Sequence, residues 1–412
     1  MTETDPAPHP GLSFRAFVTT IAVIQAVVAL SIDMMVPALG QIASALHAGA
    51  GNERQWVITV FVLAFGAAQL LYGLAADKFG RRPVLIFSLA LYSLGSFLAA
   101  MAPSFALLLL ARACQGTGAA GAQVVSVSVV RDCYVGRRMA QVNSLSFMVF
   151  LIAPILAPSL GQALLLIAPW QSIFTALGIY GGLITGFIAL RLPETQHAGD
   201  RTGMNLGEFT TAIRLTLTNR MSLGYTVGGM LLLGAWLGFI NSAQQVFADI
   251  FHLPKLFPII FAACALCMAA AALINARLVE RFGMRRLAHT AMLGFIVTSA
   301  IQAGFALSGH DPILTFALIQ ASMMFSFGLL AGNCGAISME PLGHIAGTAA
   351  SVQGFINMLG AALIGIYIGQ NFNGTLVPLT LGFFVCGVLA LVTVFVAEGG
   401  RLFRSHIMAA RP

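Results

Sequence analysis

Residues 73–83 read Gly73-Leu74-Ala75-Ala76-Asp77-Lys78-Phe79-Gly80-Arg81-Arg82-Pro83, and residues 276–286 read Ala276-Arg277-Leu278-Val279-Glu280-Arg281-Phe282-Gly283-Met284-Arg285-Arg286. Each places an acid three residues ahead of a glycine in a short basic turn. Each is flanked by apolar runs of about twenty residues, the length that at ~1.5 Å per residue crosses a ~30 Å hydrocarbon layer. One motif at the same point of two successive sets of hydrophobic runs is an internal repeat, and it predicts a chain built from two pseudo-symmetric halves.

Working outward, apolar spans are expected near 16–38, 55–76, 84–101, 105–130, 139–167 and 172–192, and again near 221–246, 257–279, 287–307, 313–338, 347–370 and 376–397. Composition agrees. Of 412 residues 58% are hydrophobic and 8% charged, against roughly 25% charged in a soluble domain. The expected fold class is an all-α membrane protein with twelve transmembrane helices in two six-helix bundles, residues 1–192 and 221–412, joined by a polar linker over 193–220. Paired halves of this kind are an architecture in which secondary transporters bind substrate near the bilayer midplane.

The basic residues orient the chain. Taking alternate loops together collects Arg15, Lys78, Arg81, Arg82, Arg131, Arg137, Arg138, Arg191, Arg201, Arg214, Arg220, Arg277, Arg281, Arg285, Arg286, Arg401, Arg404 and Arg411 on the side of both termini, and leaves Arg54 and Lys255 opposite. By the positive-inside rule both termini are cytoplasmic. The net charge of +7 is then a topology signal, and nothing points to nucleic acid. Of six cysteines, five fall within spans as small hydrophobes. Cys264-Ala265-Leu266-Cys267 lacks a second ligand pair. No metal site, cofactor or enzyme is expected.

Two ionisable residues lie deep within spans: Asp33 in the first and Arg112 in the fourth. Each costs roughly 2.5–3.5 kcal/mol to insert, so each is expected to line a wet cavity or to pair with the other. At 100° per residue Gln115, Gln123 and Ser126 share a face with Arg112, a polar stripe that in lipid must meet protein or water. Low dielectric favours a neutral carboxyl and a nearby cation favours the ionised one. Such opposed pulls suit a proton carrier, with Arg112 setting the balance and a static Asp33–Arg112 ion pair as the blander alternative. In the second half Asn241 takes the place of Asp33 and Gln320 that of Arg112. These two and Asn333 are expected to hydrogen-bond substrate, or else to bridge helices. In the turn, Asp77, Arg81 and Asp132 are expected to form a state-dependent charge lock.

At this point the sequence resembles a known family. Gly73, Asp77, Gly80, Arg81 and Arg82 match the major facilitator signature between the second and third helices. Ser31-Ile32-Asp33-Met34, Arg112-Ala113-Cys114-Gln115-Gly116, Arg131-Asp132 and Ala153-Pro154 with Ala157-Pro158 resemble the bicyclomycin/chloramphenicol resistance branch of drug:proton antiporters. The fifth-helix antiporter motif, Pro154, Pro158 and Gly161, is a partial match: Ala157 precedes Pro158 and Gln162 follows Gly161. The resemblance implies a helix-one acid and helix-four arginine of functional weight, and helices one, four, seven and ten around the cavity.

The sequence reading is thus a bacterial inner-membrane antiporter, functional as a monomer, that exports small drug-like compounds in exchange for protons. Export of an endogenous metabolite is the nearest alternative, and a proton-coupled uptake symporter the next.

Overall fold

The computed structural model describes residues 12–49, 51–134, 136–196 and 206–403. These form fourteen α-helices: α1 (Phe14–Asp33), α2 (Leu39–Ala45), α3 (Trp56–Phe79), α4 (Arg81–Ala100), α5 (Phe105–Cys133), α6 (Gly136–Ile167), α7 (Gln171–Arg191), α8 (Leu206–Thr218), α9 (Arg220–Gln245), α10 (Phe257–Phe282), α11 (Met284–Ser308), α12 (Ile313–Met339), α13 (Ala346–Gln370) and α14 (Val377–Ala397). Ten helical stretches are long and apolar enough to cross a membrane, and Ile152–Ile167 of α6 is a shorter apolar one. The twelfth span is α5, diluted by Arg112, Gln115, Gln123 and Ser126. Leu190, Ile167 and Met101 lie outward and exposed, as hydrocarbon requires and water would penalise.

The described residues fall into two compact units that divide between Phe209 and Thr210. Within the first, α3 and α4 both pack on α5, α4 on α7, and α1 on α6. Within the second, α10 and α11 both pack on α12, α11 on α14, and α9 on α13. These pairings repeat between the units, but α9 also packs extensively on α14, whereas its counterpart α1 meets α7 only slightly. The repeated turn is the clearest local copy: Gly80 alone joins α3 to α4 at φ +98°, and Gly283 alone joins α10 to α11 at φ +80°. A side chain is strained at such φ, which is why both positions are glycine.

The first expected span lies within the apolar stretch Phe14–Ala45, but its helix is broken: α1 stops at Asp33, and a turn and a 3₁₀ segment (Val36–Ala38) lead into α2. Pro37 is the cause. It has no N–H for the Asp33 carbonyl four residues earlier, and its ring clashes with that carbonyl in a continued helix. Within the polar linker, α8 occupies Leu206–Thr218; residues 197–205 of it lie outside the described residues.

Candidate functional site

The turn after α3 is the most heavily bonded polar cluster of the first unit. Arg81 is 4% exposed. Its Nη1 donates to Asp77 Oδ1 at 2.6 Å and its Nε to Asp132 Oδ2 at 2.9 Å, tying the ends of α3 and α5 to the start of α4. Glu194, just past α7, accepts from the backbone N–H of Arg81 (3.0 Å) and Arg82 (3.3 Å). A carboxylate there meets both the unpaired amides and the positive end of the α4 dipole. Arg82 reaches the Ala189 carbonyl of α7, and Gln196 donates to the Asp77 carbonyl at 3.0 Å. Gly73 lies half-buried in α3, one turn before Asp77.

The second unit builds a matching cluster from different residues. Arg285 bridges Glu340 Oε2 (2.8 Å), past α12, and Glu398 Oε1 (2.9 Å), past α14. Glu340 corresponds to Asp132 and Glu398 to Glu194. Glu280, which matches Asp77 in spacing, makes no ion pair among the described residues.

Deeper in the first unit, the Pro37 break leaves Asp33 as the last residue of α1, 1% exposed. Its Oδ1 has no hydrogen-bond partner and it makes no ion pair among the described residues. The next residue, Met34, lies against Gly161 of α6, where any Cβ would overlap the Met34 carbonyl oxygen. Pro154, Ala157, Pro158 and Gly161 are all buried and share one face of α6. The surviving glycine of the fifth-helix motif therefore packs on the break that carries Asp33.

Arg112 is fully buried and is held without a carboxylate. Its Nε donates to the Val57 carbonyl (2.8 Å), its Nη2 to the Ser31 carbonyl (3.2 Å) and its Nη1 to Gln115 Oε1. The guanidinium lies 4.4 Å from the Phe61 ring centroid and 5.9 Å from that of Phe174. Gln115 donates to Ser96 Oγ (2.7 Å), Ser96 to the Tyr92 carbonyl (2.8 Å), and the Tyr92 hydroxyl bonds Ser31 Oγ (2.7 Å). The Ser31 carbonyl belongs to the last turn of α1, which lacks intrahelical donors because the helix ends. Arg112 supplies one, as a cation at a helix C-terminus.

No Asp33–Arg112 ion pair forms. Asp33 and Ser31 are two residues apart, about 200° around the helix, so the side of α1 that meets Arg112 and Tyr92 is opposite the carboxylate. The stripe on α5 also divides: Arg112, Gln115 and Ser126 are fully buried, Ser126 bonding its own helix at Gln123, whereas Gln123 is half-exposed with its Oε1 unpartnered.

The family model for the Major Facilitator Superfamily matches residues 21–366. The chain belongs to the major facilitator superfamily. It is therefore a multi-pass membrane transporter with the twelve-helix fold. It is 29% identical over 369 residues, 89% of this chain and 91% of the relative, to the uncharacterized MFS-type transporter YdgK of Bacillus subtilis. To the bicyclomycin resistance protein homolog of Haemophilus influenzae it is 24% identical, covering 92% and 95%, in line with the branch its motifs resemble. Among solved structures, the proton:xylose symporter XylE shares the fold at a TM-score of 0.75 and 11% identity, over 95% and 96% of the two chains.

In the second facilitator unit the three amides diverge. Gln320 is fully buried with neither amide atom partnered, and Asn241 is 4% exposed with Oδ1 unpartnered. Asn333 is bonded: its Nδ2 donates to Asn275 Oδ1 (2.7 Å) and to the Leu329 carbonyl (2.7 Å). Asn333 thus bridges α12 to α10, the blander of its two readings. Sequence reasoning missed Asn275, Glu194, Glu340 and Glu398. An acid just beyond the last helix of each half was the available signal for Glu194 and Glu398.

Proposed function

We propose that the chain exports small amphipathic or lipophilic drug-like compounds across the bacterial inner membrane in exchange for protons, with both termini cytoplasmic, by alternating access of its two halves. The observation that carries this reading is Asp33: a buried carboxyl in the interior of a span, at a break in its helix, with an oxygen that nothing among the described residues satisfies. A buried carboxylate without a partner is costly, and protonation removes the charge. Drug binding near the break and proton binding at Asp33 then compete, and their alternation drives exchange. Gly161 lets α6 lie directly against the segment that must respond. The Arg81 cluster serves as the cytoplasmic charge lock, because a contact made in one state and lost in the other biases the equilibrium between them. Asn241 and Gln320 supply hydrogen bonds to substrate. The relative named for bicyclomycin resistance supports drugs as the cargo.

The test is a drug-susceptibility panel in a host stripped of its own efflux pumps, with and without an uncoupler. Resistance to at least one lipophilic drug that the uncoupler removes is expected. Inward accumulation of a nutrient with no resistance to any drug would instead make the protein an uptake symporter.

A further inference from the structure

The end of the second unit that carries the Gly283 turn contains a hydrogen-bonded chain that none of the transport chemistry above uses. After α14 the backbone folds back on the unit through three left-handed residues, Gly399 (φ +67°), Gly400 (φ +77°) and Phe403 (φ +66°). Two are glycines, which adopt this region freely. Phe403 is a bulky side chain that rarely does, so something must hold it there. What holds it is His289 of α11. The Phe403 backbone N–H donates to His289 Nδ1 at 3.0 Å, the Phe403 ring meets the imidazole edge to face at 5.3 Å, and Arg286 Nε donates to the Phe403 carbonyl at 3.5 Å.

The tautomer follows from these contacts. A backbone N–H can only donate, so Nδ1 must carry a lone pair and the ring proton must sit on Nε2. His289 Nε2 then donates to the Tyr225 hydroxyl of α9 (2.8 Å), which donates to Glu398 Oε1 (2.8 Å), which also accepts from Arg285. His289 is fully buried and Tyr225 1% exposed. The charged and titratable groups that meet the imidazole or its hydrogen-bond partners are Tyr225 from α9, Glu398 past α14, Glu340 past α12, Cys334 of α12 beside Tyr225, and Arg285 and Arg286 from its own helix.

We propose that His289 is a proton-operated latch that holds the segment after Glu398, residues 399–403, on the end of the second unit while the imidazole is neutral, and releases it when the imidazole is protonated. A proton added at Nδ1 occupies the lone pair that accepts from Phe403. Two N–H donors then face each other at the distance of a hydrogen bond, and the positive φ of Phe403 loses its support. The Nε2–Tyr225–Glu398 side is unaffected, since Nε2 donates in both states, so release is confined to the strap. On the proposed topology this end is cytoplasmic, and the latch reads cytoplasmic pH. It stands on the cluster alone, whether or not Asp33 couples protons to transport.

Hydrogen–deuterium exchange of the intact protein in nanodiscs, followed on peptides covering 399–403 and corrected for the pH dependence of intrinsic exchange, tests the latch. Protection is expected to fall at least about tenfold between about pH 8 and about pH 5, the range in which histidine titrates. His289→Gln retains an acceptor and a donor but cannot titrate, and should show no such step. Phe403→Gly keeps the N–H and fits the positive φ, so it should keep the step and serves as a second arm if His289→Gln does not fold. Protection unchanged across the range in the native protein, or the same step in His289→Gln, which would assign it to Glu398, overturns the proposal.

Discussion

The two units share most of their helix pairings but fill the middle of the bundle differently. In the first, the central helix α5 offers Arg112, which donates to Val57, Ser31 and Gln115, and Gln115, Ser96 and Tyr92 carry the network on. In the second, the central helix α12 offers Gln320 at the matching place, with both amide atoms unpartnered, and Asn241 stands where Asp33 does. One repeat therefore carries a closed cationic network beside a lone carboxyl. The other carries neutral amides with free hydrogen-bonding capacity. The backbone repeat constrains packing far more tightly than it constrains chemistry, and on the proposed function one half handles protons while the other contacts substrate.

Removing Arg112 should have the largest effect. Arg112→Gln strands the Val57 and Ser31 carbonyls and opens the end of α1, at a cost of about 1–3 kcal/mol for each stranded carbonyl. Adding Asp33→Asn should not recover it, because the two make no ion pair: a double-mutant cycle on thermal stability should give a coupling below about 0.5 kcal/mol. Gln320→Leu, the counterpart in the second unit, should be nearly neutral for stability while weakening substrate affinity, since no internal bond is lost. Equal destabilisation by the two substitutions would erase the contrast between the units.

Gly161→Ala should come next, at about 1–3 kcal/mol for a methyl forced against the Met34 carbonyl, with transport reduced more than folding. Gly365→Ala in α13 of the second unit is the matched control for α-helix crowding, where a Cβ would meet Leu237 at 2.8 Å. Asp77→Asn should cost at most about 1 kcal/mol, because Asp77 is half-exposed and Arg81 keeps Asp132. Slowed turnover at unchanged equilibrium binding is expected, measured on the same purified protein.

The same contrast tells what the sequence could carry. Span number, span length and the Gly80/Gly283 joints follow from hydropathy and backbone sterics, which are local. The break at Asp33 was also legible, since Pro37 forbids the helix from continuing, yet a uniformly apolar run hid it. Depth along a helix was readable for Asp33 and Arg112, but the side each faces depends on how α1 is rotated against α5, and spacing is silent on that. The partners of Arg285 lay further out of reach. Glu340 and Glu398 meet it from the far ends of two other helices, while the nearby Glu280 suggested a pairing that does not form.

The smallest expected effect lies outside the membrane. Between α11 and α12, burial pushes the Asp311 carboxyl up to about 6, and neither of its oxygens has a hydrogen-bond partner. With the folded value above the unfolded one, the ionised form opposes folding. The penalty is complete above about pH 6 and fades as pH falls toward the ordinary 3.8, so this group stabilises the protein on acidification. Asp311→Asn should flatten that slope in thermal unfolding between pH 4 and pH 7.

The central claim is that Asp33 carries the coupled proton, and proton release on drug binding tests it most directly. Purified protein in weakly buffered solution, given a saturating dose of a drug identified by the susceptibility panel, should release protons, and Asp33→Asn should bind that drug and release none. Proton release from Asp33→Asn equal to that of the native protein would contradict the account.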